Sequence, residues 1–195
     1  MATGRPREFD IEQALDRAMD LFWRKGYEAT SVSDLTDTLG ITRPSLYAAF
    51  GNKESLFKAV LKRYEDKIVT YRPKALNAPT ARAVARELLL GAANLFGGRT
   101  TPNGCLSVNA ALACSDEAEP IRKELVASRL AGQHDLRKRL ERAKAEGDLP
   151  EHSDPARLAR FLSATVYGMA VLSADGASRK ELLHVAELAL ESWPS

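Results

Sequence analysis

At 195 residues, with 45% hydrophobic and 28% charged side chains, the chain has an ordinary soluble composition and is long enough to bury a core in one or two small domains. Its formal charge of +2 excludes a uniformly basic nucleic-acid binder, so any such contact must rest on where the cations are placed. The uncharged runs of the C-terminal half, 161–174 among them, fall short of the roughly 18 residues of a membrane span, and the first ten residues lack the apolar core of a signal peptide, so a soluble cytoplasmic protein is expected.

The opening Thr3-Gly4-Arg5-Pro6-Arg7 is a basic arm without apolar content. Arg5 and Arg7 suit a minor groove, or the arm is simply a disordered tail. Asp10 with Gln13 caps a first helix whose stripe is Ile11, Leu15, Ala18 and Phe22, ended by Gly26. Ser31 with Asp34 opens a second helix along Val32, Leu35 and Leu39, broken by Gly40. Thr42 caps a third helix with Pro44 in its first turn, and Ile41 and Leu46 are spaced as a hydrophobic staple. Two short helices joined at a glycine, with Thr42, Arg43, Pro44, Ser45 and Tyr47 at the front of the second, form a helix-turn-helix whose second helix enters a DNA major groove. Asn52 caps the next helix, yet Lys53 puts a cation at the positive end of its dipole, and a DNA phosphate would offset that cost. Residues 1–53 hold seven basic against eight acidic side chains, but five of the acids lie at 8–20, on or near the first helix.

The helix from Asn52 is expected to run to Arg72-Pro73 with Phe57, Val60, Leu61, Tyr64, Ile68 and Tyr71 on its apolar side. Further helices are predicted over 80–96, over 104–114, from Ser115 or Asp116 to Gly147 with Pro120 in the first turn, from Asp154-Pro155, and from Ser178 to Pro194. Cys105 and Cys114 on a shared helix would be separated by about 13.5 Å of rise, too far for a disulfide, so two free thiols are expected. No catalytic set, metal-ligand spacing or cofactor motif is present. Cys105, among Leu106, Val108 and Leu112, reads as packing rather than a nucleophile, although a place on a pocket wall would let it meet an electrophile.

Phe22, Gly26 and Tyr27, then Ala29-Thr30-Ser31-Val32, Leu39-Gly40, and Ser45-Leu46-Tyr47 with Phe50, Lys53, Glu54, Leu56 and Phe57 together resemble the DNA-binding domain of the TetR/AcrR family of bacterial repressors. Ser45 departs from the glycine that many relatives carry. The resemblance implies an all-α homodimer of about nine helices, with a three-helix DNA-binding domain (1–52) and a helical effector-binding and dimerisation domain (53–195). It also implies repression at a double-stranded operator, released by a small molecule. DNA contacts are expected from Arg5, Arg7, Ser31, Thr42, Arg43, Pro44, Ser45, Tyr47 and Lys53.

An effector pocket is expected between the helix from Asn52 and the helix from Asp154, lined by Asn94, Phe96, Cys105, Asn109, Thr165, Tyr167 and Met169, since isolated polar groups in apolar stretches orient ligands, unless each is a polar group satisfied within the core or an interface. The last two helices are apolar on more than one side and so need two sets of neighbours. Either one subunit buries them deeply or a second copy covers them; Phe161, Val166, Leu182, Val185, Leu188 and Trp193 are expected at a two-fold dimer interface. A helical ligand-binding protein with a vestigial DNA module is the rival reading.

Overall fold

The computed structural model describes residues 9–98, 101–110 and 118–194. In chain order its helices are α1 (Ile11–Lys25), α2 (Val32–Leu39), α3 (Arg43–Phe50), α4 (Lys53–Lys67), α5 (Tyr71–Leu76), α6 (Ala81–Phe96), α7 (Leu106–Asn109), α8 (Glu119–Ala145), α9 (Pro155–Ala174) and α10 (Arg179–Glu191). The described residues thus form ten helices, one more than expected, and no strand. The arm with Arg5 and Arg7, and Cys114 with the start proposed near Ser115 or Asp116, lie outside the described residues.

Helix starts follow side-chain chemistry. Asp10 accepts from the N–H groups of Glu12 and Gln13, Ser31 and Asp34 close a reciprocal capping box, and Thr42, Asn52 and Thr80 each accept from the N–H three residues on. Asp154 caps α9, and Ser178 with Glu181 closes a second box at α10. Each such cap satisfies a backbone donor that the helix cannot, worth about 1 kcal/mol.

Helices α1 and α3 pack on the base of α4, with α2 held against both of them, around Phe22, Leu35, Leu46, Leu56 and Phe57. The buried face of α1 is carried by Ala14, Ala18, Met19, Phe22 and Trp23. Ile11, expected in the stripe, is 49% exposed, because the first residue of a helix points back past the end of its neighbour. In the distal part α6 is central, packed by α5, α9 and α10, while α8 lies along α9.

The expected rod from Asn52 to Pro73 is two helices. Ile68, Val69 and Thr70 are three β-branched residues in succession, and Pro73 in a continuous helix would clash with the Val69 carbonyl. The chain instead turns after Lys67 and restarts at Tyr71, with Pro73 in a first turn that needs no N–H there. The helix expected over 104–114 is described as the single turn α7.

Candidate nucleic-acid interface and effector cavity

The front of α3 is held from three directions. Gly40 adopts the left-handed conformation (φ 68°) that turns the chain between α2 and α3. Leu46 is fully buried beneath, with Ile41 packed against the same core. The Thr42 hydroxyl accepts from the Ser45 N–H at 3.3 Å and lies 2.9 Å from the Ser45 hydroxyl. What remains outward is Thr42, Arg43, Pro44 and Tyr47, the last 46% exposed. Arg43 Nη2 donates to Ser33 Oγ at 3.2 Å, which aims the guanidinium across the α2–α3 turn. Ser31 is exposed at the start of α2, where its hydroxyl accepts from the Asp34 N–H. Lys25 bonds the Asp34 carboxylate at 2.7 Å, and together with Ser31 it holds that carboxyl far below its usual range.

Lys53 differs from the sequence expectation. Its ammonium sits 4.3 Å from the centre of the Tyr27 ring and donates to the Glu28 carbonyl at 3.5 Å, so the protein itself supplies part of the compensation sought from a phosphate. Burial pulls its pKa down, partly opposed by the charge of Glu28.

Beneath this unit Arg63 ties α4 to α1. Its guanidinium is 7% exposed and bonds Asp16 through Nε and Nη2 at 2.5 and 2.6 Å, and Glu12 through Nη1 at 2.5 Å. Those bonds hold the Asp16 and Glu12 carboxyls below their usual range and raise Arg63.

One turn face away, Tyr64 and Glu65 line a cavity of about 50 Å³ of water-accessible volume between α4, α5, α8 and α9. It opens toward a groove of about 290 Å³ that shares Glu65, Arg72, Ser128 and Gly132. Of the expected pocket residues, Phe96, Cys105 and Tyr167 are on its wall. The other four are elsewhere. Asn94 is exposed and accepts from Arg179 at 2.8 Å, Asn109 donates to the Asn103 carbonyl, Thr165 bonds the Phe161 carbonyl within its own helix, and Met169 is buried in the core. Asn94 and Thr165 lie on faces that isolated polarity in an apolar stretch does not distinguish. Tyr64, Tyr71, Arg72, Ser128 and Arg129 were missed, because arginine at the edge of a helix reads as solvated until another helix covers it.

Tyr64 donates to Cys105 Sγ at 3.2 Å, Ser107 lies 3.1 Å from the same sulfur, and Arg129 Nη1 donates to the Ser107 carbonyl at 2.7 Å. Cys105 is a free thiol, 8% exposed. Burial pushes up the hydroxyls of Tyr64, Tyr71 and Tyr167, opposed for the last two by the charge of Arg72. Among the described residues no group of histidines, cysteines and carboxylates could hold a metal ion, and no helix is long and apolar enough to cross a membrane.

The expected interface also divides. Val166, Leu182 and Trp193 are buried within one chain and belong to its core, whereas Phe161 (40% exposed) and Leu188 (67%) face outward and Val185 is half-buried. Alternate residues along α9 and α10 therefore serve inner and outer faces, a division that apolar composition alone does not reveal. Ala164, Gly168, Val171 and Leu172 join the outward set on α9.

Comparison with known proteins bears on both halves. Residues 14–60 match the family described as bacterial regulatory proteins, tetR family, and residues 82–186 match a tetracyclin repressor-like C-terminal domain. The chain is 37% identical over 193 residues to the HTH-type transcriptional repressor ComR of Escherichia coli (strain K12), covering 98% of this chain and 92% of the relative. Over 61 residues it is 57% identical to the HTH-type transcriptional repressor BdcR of the same organism, 31% of each chain. A cysteine mutant of the TetR family regulator CifR, solved with a 26 bp double-strand operator, superposes with a TM-score of 0.93 at 43% identity, covering 97% of this chain and all of that one. A capped helix-turn-helix on the end of α4, a helical body matching the family's C-terminal domain, and near full-length identity to ComR agree: this chain belongs to the TetR family of DNA-binding transcriptional regulators.

Proposed function

We propose that the chain is a homodimeric cytoplasmic repressor that reads a palindromic operator through α3 and lets go when a small molecule fills the cavity beside α4. Residues 1–52 form its DNA-binding unit and residues 53–195 its effector-binding and dimerisation unit. It performs no catalysis on what it binds. The observation that carries this reading is the front of α3: Arg43, Pro44 and Tyr47 stand exposed on a helix whose caps, staple and buried Leu46 fix its direction. A side chain that reads base edges has to be aimed before it arrives. That the similar CifR was solved with operator DNA supports DNA binding by this chain. Arg43, Ser45 and Tyr47 would face bases, while Ser31, Thr42 and Lys53, with Arg5 and Arg7 on the preceding arm, would meet the backbone or minor groove.

Release follows from α4. Arg63 grips α1 and its neighbours Tyr64 and Glu65 line the cavity, so a shift at one side of a single helical turn is a shift at the other. An effector works only through its preference for the released arrangement, and a tenfold loss of operator affinity takes about 1.4 kcal/mol of it. The outward apolar strip of Phe161, Val171, Leu172 and Leu188 supports a second copy of the chain, which sets two α3 helices about one DNA turn apart.

The test is selection of random DNA fragments by the purified protein, followed by sequencing. An inverted repeat with half-site centres about 10 bp apart is expected. A pool without sequence preference would end the repressor reading and leave the rival, a ligand-binding helical protein with a vestigial DNA module.

A further inference from the structure

The cavity beside α4 has more hydrogen-bond donors than its own acceptors can use. Arg72 and Arg129 both line it, and neither is ion-paired among the described residues. Arg129 spends one N–H on the Ser107 carbonyl. No side-chain bond of Arg72 and no bond of the Tyr71 hydroxyl occurs among the described residues. The one carboxylate on the wall, Glu65, accepts from Ser128 and lies where the cavity meets the outer groove. A guanidinium has five donors and no acceptor, so two of them beside one half-exposed carboxylate leave net positive charge and N–H groups open to a ligand in a space whose apolar wall is Leu88, Phe96 and Val166.

Both donor residues are seated by glycines. A methyl group added at Gly132 on α8 would lie 1.2 Å from Arg72 Nη2 and 2.5 Å from its Cζ, so the guanidinium occupies the place where any other residue would carry a side chain. At Gly91 on α6 the added carbon would lie 2.6 Å from Tyr71 Cβ and 2.8 Å from its ring. The short helix α5 thus delivers two adjacent donors into the cavity through two gaps in the facing helices. The burial of Tyr71, opposed in its titration by the charge of Arg72, agrees with a guanidinium close by.

We infer that the cavity selects a small organic anion, a carboxylate on a compact apolar body, held by Arg72 and Arg129 with the Tyr71 hydroxyl as a third donor. The inference rests on the effector reading above and gives it a chemical class. Size agrees: a cavity of about 50 Å³, several times the roughly 10–15 Å³ that one water needs, admits the compact head of a small molecule. Planar guanidinium against planar carboxylate allows paired N–H···O bonds, which a neutral amide forms only in part.

The experiment uses the full-length protein and two matched probe pairs, benzoate with benzamide and butyrate with butyramide. Thermal melting reads binding and a labelled operator duplex reads release. At least one acid should raise the melting temperature and release operator at a concentration tenfold or more below its amide. Arg72→Gln should remove that preference. Gly132→Ala should remove it too, while melting close to wild type without ligand, because the atom it displaces is the end of a flexible side chain. Amides that act as well as the acids, or an acid preference that survives Arg72→Gln, would overturn the anion inference and leave the cavity as the effector site. Neither series shifting the melting temperature would also overturn it, with operator binding in the same samples showing that the repressor itself stands. A protein that binds the acids but no operator would keep the inference and remove the repressor.

Discussion

At the scale of single residues, Lys53 and Arg43 make a contrast. Lys53 is already engaged with the Tyr27 ring and the Glu28 carbonyl, which leaves its ammonium oriented at the start of α4 rather than free to search. In the proposed role at a phosphate it contributes a charge, so Lys53→Ala should weaken all sequences alike and lower the slope of log affinity against log salt by about one. A loss confined to one operator base would contradict a phosphate role. Arg43→Ala should instead relax base preference at one half-site position, a change of about 1–3 kcal/mol in discrimination seen by repeating the fragment selection. Arg63 is the residue that sequence reading passed over. Its place in the stripe of α4 looks like a solvated cation, yet 47 and 51 positions away in the chain stand the two carboxylates it binds. Both carboxyls have folded-state pKa values below their ordinary ones, so their share of stability is complete above the ordinary carboxylate range and is lost as the pH falls through it, below about pH 4. Wild type should therefore melt above Arg63→Gln at pH 7, and the gap should close as the medium is acidified toward pH 3. A gap independent of pH would mean that Arg63 acts by packing alone.

Among the elements, those set by local chemistry were legible and those set by distant neighbours were not. Asp10, Ser31, Thr42, Asn52, Asp154 and Ser178 mark helix starts in the sequence because a cap bonds within three residues of itself. The break between α4 and α5 was encoded as openly, in Ile68-Val69-Thr70 and Pro73, but the apolar spacing through Tyr64, Ile68 and Tyr71 fits an unbroken helix equally well. Periodicity says which face is greasy and is silent on whether the chain bends. That bend matters, since it carries Tyr71 and Arg72 into the cavity. Of the residues expected at a pocket, the large apolar or polarizable Phe96, Cys105 and Tyr167 lie on the cavity wall, while Asn94 and Asn109 join loops and helix ends. The docking of α5 on α6 through Gly91 has a direct consequence. Gly91→Ala brings a methyl group into the Tyr71 backbone-attached carbon, which cannot swing aside, so overpacking should cost about 1–3 kcal/mol of stability in denaturant titration. Gly168→Ala, whose added carbon meets nothing within 4 Å in one protomer, should stabilise the protomer by about 0.5–1 kcal/mol, the helix preference of alanine over glycine.

At the scale of the whole molecule, the two terminal helices present different residues to two different environments. Leu182, Ala186 and Ala189 of α10 and Leu162, Val166 and Met169 of α9 close the core of one chain. Phe161, Val171, Leu172 and Leu188 are left in the open, and four large apolar side chains on adjacent surfaces of a small protein call for cover. In the proposed dimer a second copy would cover them with the same strip turned through 180°, and the two α3 helices would then be fixed at one spacing. Charge placed at the two classes of position separates core from interface. Leu188→Glu, on the outer face, should leave the protomer folded but shift sedimentation from dimer to monomer, and operator affinity should fall because a single α3 engages only one half-site. Leu182→Glu, fully buried, should instead lower the melting temperature steeply whatever the protein concentration. A Leu188→Glu protein that sediments as a dimer would remove α10 from the interface, and one that is monomeric yet holds the operator undiminished would break the link between two-fold assembly and recognition.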